Sequence, residues 1–331
     1  MADGKWIADL TAATPVADAA RRVLMVRLEV VRDHLSLALR EYDKDPEYVH
    51  QLRVGARRAR AALDIFARAI PLKTYQTVKK HLRRIRRGAG EARDWDVFIA
   101  NVAEWAKKAP AKQRLGLDAL IGYGLAQRLA AQTSLEKNND EYPLAFDRLL
   151  AETIGAVHKP RGPGKHALGD LARPLLAELL GELESATAQN LDDYEHLHQV
   201  RIIGKRLRYA MEIFADCFPA AFKVQIYPDV EAMQEVLGNA NDSHVASGRL
   251  AMISAKLQGI VPKEWKRLRP GIDSLLRFHE ERLIRERDRF KELWANWQKS
   301  GDEVTLGALL NASTPAPSNG HATNPEARTT L

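Results

Sequence analysis

A histidine followed by a row of cations occurs twice in this chain, 148 residues apart. His50 to Phe66 reads HQLRVGARRARAALDIF, and His198 to Phe214 reads HQVRIIGKRLRYAMEIF. His50/His198, Gln51/Gln199, Arg53/Arg201, Arg58/Arg206, Arg60/Arg208, Ala62/Ala210, Ile65/Ile213 and Phe66/Phe214 are identical, and Arg57/Lys205 keeps its charge. Packing alone would repeat only the apolar positions. Cations in a row suit one chemistry above others, the binding of a multiply charged anion. Arginine offers a planar fork that can donate two bonds to a phosphate or carboxylate. A histidine beside such an anion is favoured in its charged form. The alternative for each histidine is a bond to the backbone in a helix's first turn.

These residues share a helix face. At 100° per residue His50, Arg53, Arg57 and Arg60 fall within about 80° of arc, and His198, Arg201, Lys205 and Arg208 do the same. Leu52, Ala59, Leu63 and Phe66 lie elsewhere, as do Val200, Leu207, Met211 and Phe214. Each helix therefore carries an apolar stripe for a core and a cationic stripe beside it. Like charges at i, i+3 and i+4 repel, and the first half does little to relieve this. His50 to Arg93 holds 13 Lys and Arg against Asp64 and Glu91, a net +11. Lys79, Arg83 and Arg86 add a further face, with Leu82 and Ile85 as its anchor. The matching window His198 to Asn241 has five basic and five acidic residues. The repeat thus keeps the motif helix and lets the next helix diverge, which predicts one continuous anion site with more charge from the first half.

Catalytic readings find less support. Asp94 and Asp96 form a D-x-D that could hold a divalent cation, but the repeat places His244 at the Asp96 position, and Asp94 and Asp242 are expected to cap helices. His196 and His198 point to different sides of a helix, too far apart for one metal. Gly88-x-Gly90 is expected at a helix end, not after a strand, so it is no phosphate loop. No nucleophile–base pair is visible, and neither a cofactor nor a metal is implied. A binding protein is expected, not an enzyme. Single-stranded nucleic acid is the alternative ligand. Its binders interleave aromatics for base stacking, whereas Tyr209 is the one aromatic of the repeated segments His50–Phe66 and His198–Phe214 besides Phe66 and Phe214.

The elements that must hold these residues are helical throughout. No stretch alternates with period two. Helices are expected from Ala17 to Tyr42, from Asp45–Pro46 to about Ala69, from Tyr75 to Arg87, from Asp94 onward, from Leu115 to Glu136 and from Pro143 to Val157. The second half repeats the plan at Leu168 to Asn190, Tyr194 to Ala215, Lys223 to Leu237, Ser243 to Leu257 and a last stretch to about Gln298. Pro71/Pro219, Gly90/Gly238, Asp94/Asp242 and Val97/Val245 continue the repeat without a gap. This predicts an all-α protein of two pseudo-symmetric, four-helix-bundle-like halves, residues 17–158 and 166–300. His158 to His166, HKPRGPGKH, reads as the linker, and residues 301–331 as a mostly disordered tail.

Composition fits a soluble protein whose partner is a polyanion or an anionic surface. The 331 residues carry a net charge of +7 and a single cysteine, Cys217, so a disulfide scaffold is excluded. The N-terminus lacks the pattern of a secretory signal, and no apolar run approaches the roughly 20 residues of a membrane span. A cytoplasmic location is expected, with no membrane partner; oligomeric state is left open.

VHQLRVGARRARAALDIF with RRIRRGAGEARDWDV, and LHQVRIIGKRLRYAMEIF with QEVLGNANDSHVA, resemble the conserved-histidine alpha-helical domain family, CHAD, over roughly residues 17 to 300. The resemblance implies two pseudo-symmetric helical bundles with a basic channel or groove between them that binds inorganic polyphosphate, and an association with polyphosphate granules. Carried over by position, the binding candidates are His50, Arg53, Arg57, Arg58 and Arg60, then His198, Arg201, Lys205, Arg206 and Arg208, with Lys79, Arg83 and Arg86 as additions. Many members also carry a triphosphate-tunnel domain marked by ExExK, a pattern this sequence lacks.

Overall fold

The computed structural model describes residues 5–137, 142–159, 167–299 and 305–311. Among these the fold is all-α. The helices are α1 (Val16–Arg40), α2 (Glu47–Ile65), α3 (Leu72–Lys108), α4 (Ala111–Lys137), α5 (Tyr142–Gly155), α6 (Leu168–Thr187), α7 (Tyr194–Phe214), α8 (Tyr227–Ile260), α9 (Trp265–Lys299) and α10 (Leu306–Asn311). No described helix is long and apolar enough to cross a membrane. The two motif segments are α2 and α7. Each starts at an aspartate 148 residues from the other. Asp45 Oδ1 accepts the Glu47 amide at 2.8 Å, and Asp193 Oδ1 accepts the Glu195 amide at 2.9 Å, satisfying donors that a helix start leaves unpaired.

Two expected breaks do not exist. Residues expected as a helix, a glycine stop and a second helix form the single 37-residue α3. Gly88 lies inside it because Leu135 of α4 packs there; a Cβ on Gly88 would sit 2.7 Å from Leu135 Cδ1. A mid-helix glycine costs about 1 kcal/mol, which close helix packing can offset. The G-x-G is therefore a packing site inside a helix, not a helix end. The equivalent second-half region is the continuous α8. Asp94 and Asp242 thus lie in helix interiors and cap nothing, because no helix begins there.

In the first half α1 packs on α2, α2 on α3 and α3 on α4, and α5 returns to α1. In the second, α6, α7, α8 and α9 pack in order. Part of the segment assigned to the tail folds: α10 lies on α6, where Arg173 Nη1 donates to the carbonyls of Leu309 and Leu310 at 2.7 and 3.0 Å. Residues 312–331, and 160–166 of the linker, lie outside the described residues.

The halves meet where α4 lies on α9 and where α2 lies on α7. The first contact is close because two glycines face backbone. A Cβ on Gly116 would strike the Leu268 carbonyl, and one on Gly271 the Gln113 carbonyl. The second contact is organised by Glu212 of α7, which is 1% exposed. Its carboxylate accepts from Arg58 Nε and Nη2 of α2 at 2.9 and 3.1 Å, and from Arg27 Nη2 of α1 at 3.3 Å. Arg208 Nη1 and the Tyr227 hydroxyl donate to it from its own half at 3.3 and 3.1 Å. Burial pulls Arg27 down to about 10, with Glu212 opposing that shift and Arg58 adding to it. The N-terminal segment closes over this cluster. Lys5 pairs with Glu231 at 2.9 Å, its carbonyl accepts from Arg27, and Trp6 packs edge-on against Tyr227.

Breaking a buried ion cluster leaves charges without partners, at a cost of about 3–5 kcal/mol. Glu212→Gln should therefore lower unfolding stability by about that amount in a urea titration. Asp64→Asn, at the exposed position 148 residues earlier, should cost under about 1 kcal/mol. Gly271→Ala should cost about 1–3 kcal/mol by forcing α4 from α9. Equal effects of the two acid-to-amide changes would contradict the assignment of Glu212 as the tie between the halves.

Candidate anion-binding site

A cavity of about 870 Å³ opens between α2, α6 and α7. Eight cations line it: Arg53, Arg57, Arg60, Arg68 and Arg86 from the first half, and Arg201, Lys205 and Arg206 from the second. Among the described residues, Asp64 and Glu178 are its only acidic lining residues. The α2–α7 crossing accounts for the convergence. Each helix turns its apolar stripe to its own bundle, with Leu52, Ala59 and Leu63 or Val200, Leu207 and Met211 fully buried. The stripes beside them then face one another.

Arginines at the centre are held by acids from the next helix. Arg53 Nη1 donates to Asp94 Oδ1 at 2.6 Å, and Arg201 has Asp242 as its principal favourable charge. Both acids lie 41 residues after their arginine. Arg249 of α8 locks this region across the halves. It donates to the Asp94 carbonyl at 2.8 Å and lies 4.0 Å over the Trp95 ring.

Arg60 and Arg206 pair with Asp64 and Glu182, whereas Arg57 and Lys205 have arginines as charged neighbours. Burial, then Arg201, Arg57 and Arg53, pull Lys205 down to about 6. Burial and Arg53 also lower Arg57, whose partner is the Tyr209 side chain. Arg201 and Arg86 are lowered as well, by burial first and by neighbouring arginines second. A group of cations destabilised by one another is prepared for an anion, since an incoming negative charge relieves every member.

The structure separates the thirteen residues singled out from the sequence. Arg53, Arg57, Arg60, Arg86, Arg201, Lys205 and Arg206 line the cavity. Arg206 also pairs with Glu182. Arg58 and Arg208 turn into the core toward Glu212. Lys79 sits at the rim of the site, 3.3 Å from Asp64 and over the Tyr75 ring. Arg83 is exposed on α3 outside the cavity. The histidines lie beyond the cavity lining. His50 is half-buried in the first turn of α2, where burial and then Arg93 push it down. His198 faces the Tyr194 hydroxyl at 3.4 Å, and Tyr194 stacks on His244 at 3.4 Å between ring centres.

Four features escaped the sequence. Arg68 stands where the second copy has Asp216, so selection by repetition passes over it. Asp94 and Asp242 hold arginines, and the common 41-residue offset was the available signal. Asp96 is taken by Arg128 at 2.6 Å, so neither carboxylate of the D-x-D is free. The last is the cavity's apolar side, Leu171, Pro174, Leu175 and Leu179 of α6, which carries no motif.

Comparison with known proteins agrees with this architecture. The crystal structure of the CHAD domain from the plant Ricinus communis is similar, with 26% identity and a TM-score of 0.65 over 87% of this chain and 95% of that one. PptA from Streptomyces chartreusis shares the fold, with 16% identity and a TM-score of 0.66 over 85% of this chain and all of that one. A search among curated proteins gives no match. The profile of the CHAD domain matches residues 22–251, more than two thirds of the sequence and both motif helices. This chain therefore belongs to the CHAD domain family.

Proposed function

We propose that the protein binds inorganic polyphosphate in the cavity between α2 and α7. The observation that carries this is the convergence of Arg53, Arg57, Arg201 and Lys205, cations of both halves, in one cavity without enough acid to balance them. A phosphate chain has roughly one charge per unit and no bases to read, so its binder needs cations in register and few stacking rings. Among the described residues Tyr209 and Phe66 are the cavity's only aromatics, and they are 7% and 1% exposed. Family membership supports the same reading. The protein acts as a binding module without catalysis, and polyphosphate granules are its proposed location.

Replacing Arg53, Arg57 and Arg60 together with alanine should weaken polyphosphate binding at least about a hundredfold, since each charge-assisted bond contributes roughly 1.5–3 kcal/mol. Helicity by circular dichroism should be unchanged. The affinity should fall with salt at a log–log slope of roughly −0.7 per phosphate contacted, by the behaviour of single-stranded nucleic acids. Single-stranded RNA of matched charge should bind more weakly. Equal affinity for the two polymers, or an unaffected triple variant, refutes the proposal.

Proton linkage gives a second test. Lys205 releases its proton near pH 6 in the free protein. A bound polyanion favours the ammonium and raises that value, so binding at pH 7 takes up protons. Affinity should therefore decrease as pH rises above about 6, until the bound-state value is passed. Calorimetry in two buffers of different ionisation enthalpy should show net uptake, and Lys205→Met should reduce it. The same group should make stability rise with pH from about 6 toward its ordinary value, because the unfolded chain binds the extra proton throughout that window. Binding without proton uptake would rule out a contact at Lys205.

A further inference from the structure

The cationic wall accounts for only part of the cavity. Leu171, Pro174 and Leu175 of α6 and Ile202 of α7 add an apolar portion to its lining. Pro174 and Ile202 are exposed, and Leu171 and Leu175 half-buried. Apart from Glu178, α6 brings no side-chain donor or acceptor to the cavity. An inorganic phosphate chain has nothing that covers such a surface. Concave sites that combine an apolar wall with a few convergent charges suit ligands of mixed character.

The other half shows what fills the equivalent place. The position 148 residues before Leu175 is Arg27, whose guanidinium is buried and reaches Glu212. Trp6 packs on Tyr227 of that cluster from the N-terminal segment. On the α6 side a leucine replaces the arginine, and Asp64, in the place of Glu212, lines the open cavity.

We propose that this cavity also takes an amphiphilic phosphate, namely a phosphate or diphosphate ester with an aliphatic chain. The headgroup lies on Arg53, Arg57 and Lys205, and the hydrocarbon lies on Leu171, Leu175 and Ile202. An aliphatic group fits better than a nucleobase, because Leu171, Leu175 and Ile202 offer the polar edges of a base no side-chain donor or acceptor. The inference uses the cationic wall assigned above but does not require polyphosphate as its ligand.

The test is a titration of the full chain with inorganic pyrophosphate and with octyl diphosphate below its micellar concentration. Octyl diphosphate should bind at least about tenfold more tightly, a gain that burial of two or three methylenes supplies. Leu171→Ser with Leu175→Ser should remove the gain and leave pyrophosphate affinity unchanged. If that double variant misfolds, the exposed Ile202→Ser should show a partial loss of the same gain. Equal affinities of the two probes, or a gain that survives these substitutions, overturns the proposal. Vesicles containing phosphatidic acid separate the sources. Co-sedimentation assigns a membrane-borne ligand, and soluble binding without it assigns a free one; either supports an amphiphile. Polyphosphate binding without an octyl gain sinks this proposal alone. An octyl gain without polyphosphate binding sinks only the earlier one.

Discussion

A carboxylate removed from water stays charged only if donors surround it, and Glu212 is surrounded from both halves of the chain. Arg27 and Arg58 reach it from α1 and α2, while Arg208 and Tyr227 reach it from α7 and α8. Ion clusters of this kind contribute little net stability against an apolar core of the same shape, but they penalise every arrangement that separates the partners. In this fold the penalised motion is a displacement of α2 from α7. Fixing that crossing is what places Arg53 and Arg57 opposite Arg201 and Lys205. Two helices with adjacent cationic stripes would otherwise repel.

The same sequence spacing leads to a filled site and an open one. Asp64 and Glu212 occupy matching positions, as do Arg60 and Arg208. Around Glu212 the chain supplies Arg27, Arg58 and the Trp6 segment, so the charges are neutralised and dry. Around Asp64 it supplies Leu175 and an opening to solvent, and more cations gather there than the acids can balance. Arg58 and Arg206 show the consequence most plainly. The residues are identical and the spacing is 148, yet one is 4% exposed in the core and the other lines the cavity. Matching positions of the two motif helices thus go one to the buried core and the other to the cationic cavity.

Much of this was legible in the sequence. Helical periodicity gave the all-α class, and Asp45 with Pro46 gave the start of the first motif helix. Six of the cavity's cations follow from the 100° geometry of the motif and the basic face after it, and Arg206 from the family resemblance. What could not be read depends on contacts distant in sequence. Gly88 and Gly90 look like a helix stop until Leu135 is known to pack on one of them. Asp94 looks like a cap until Arg53 is placed beside it. Arg58 and Arg208 fall in the cationic row by type, and only the position of Glu212 turns them inward.

The most direct measurement is a crystal structure of the full chain with a short polyphosphate. Phosphate density should run between α2 and α7, bonded by Arg53 and Arg57 on one side and Arg201 and Lys205 on the other. Density confined to the outer face of α3, around Lys80, Arg83 and Arg87, with the α2–α7 cavity empty, would contradict the account.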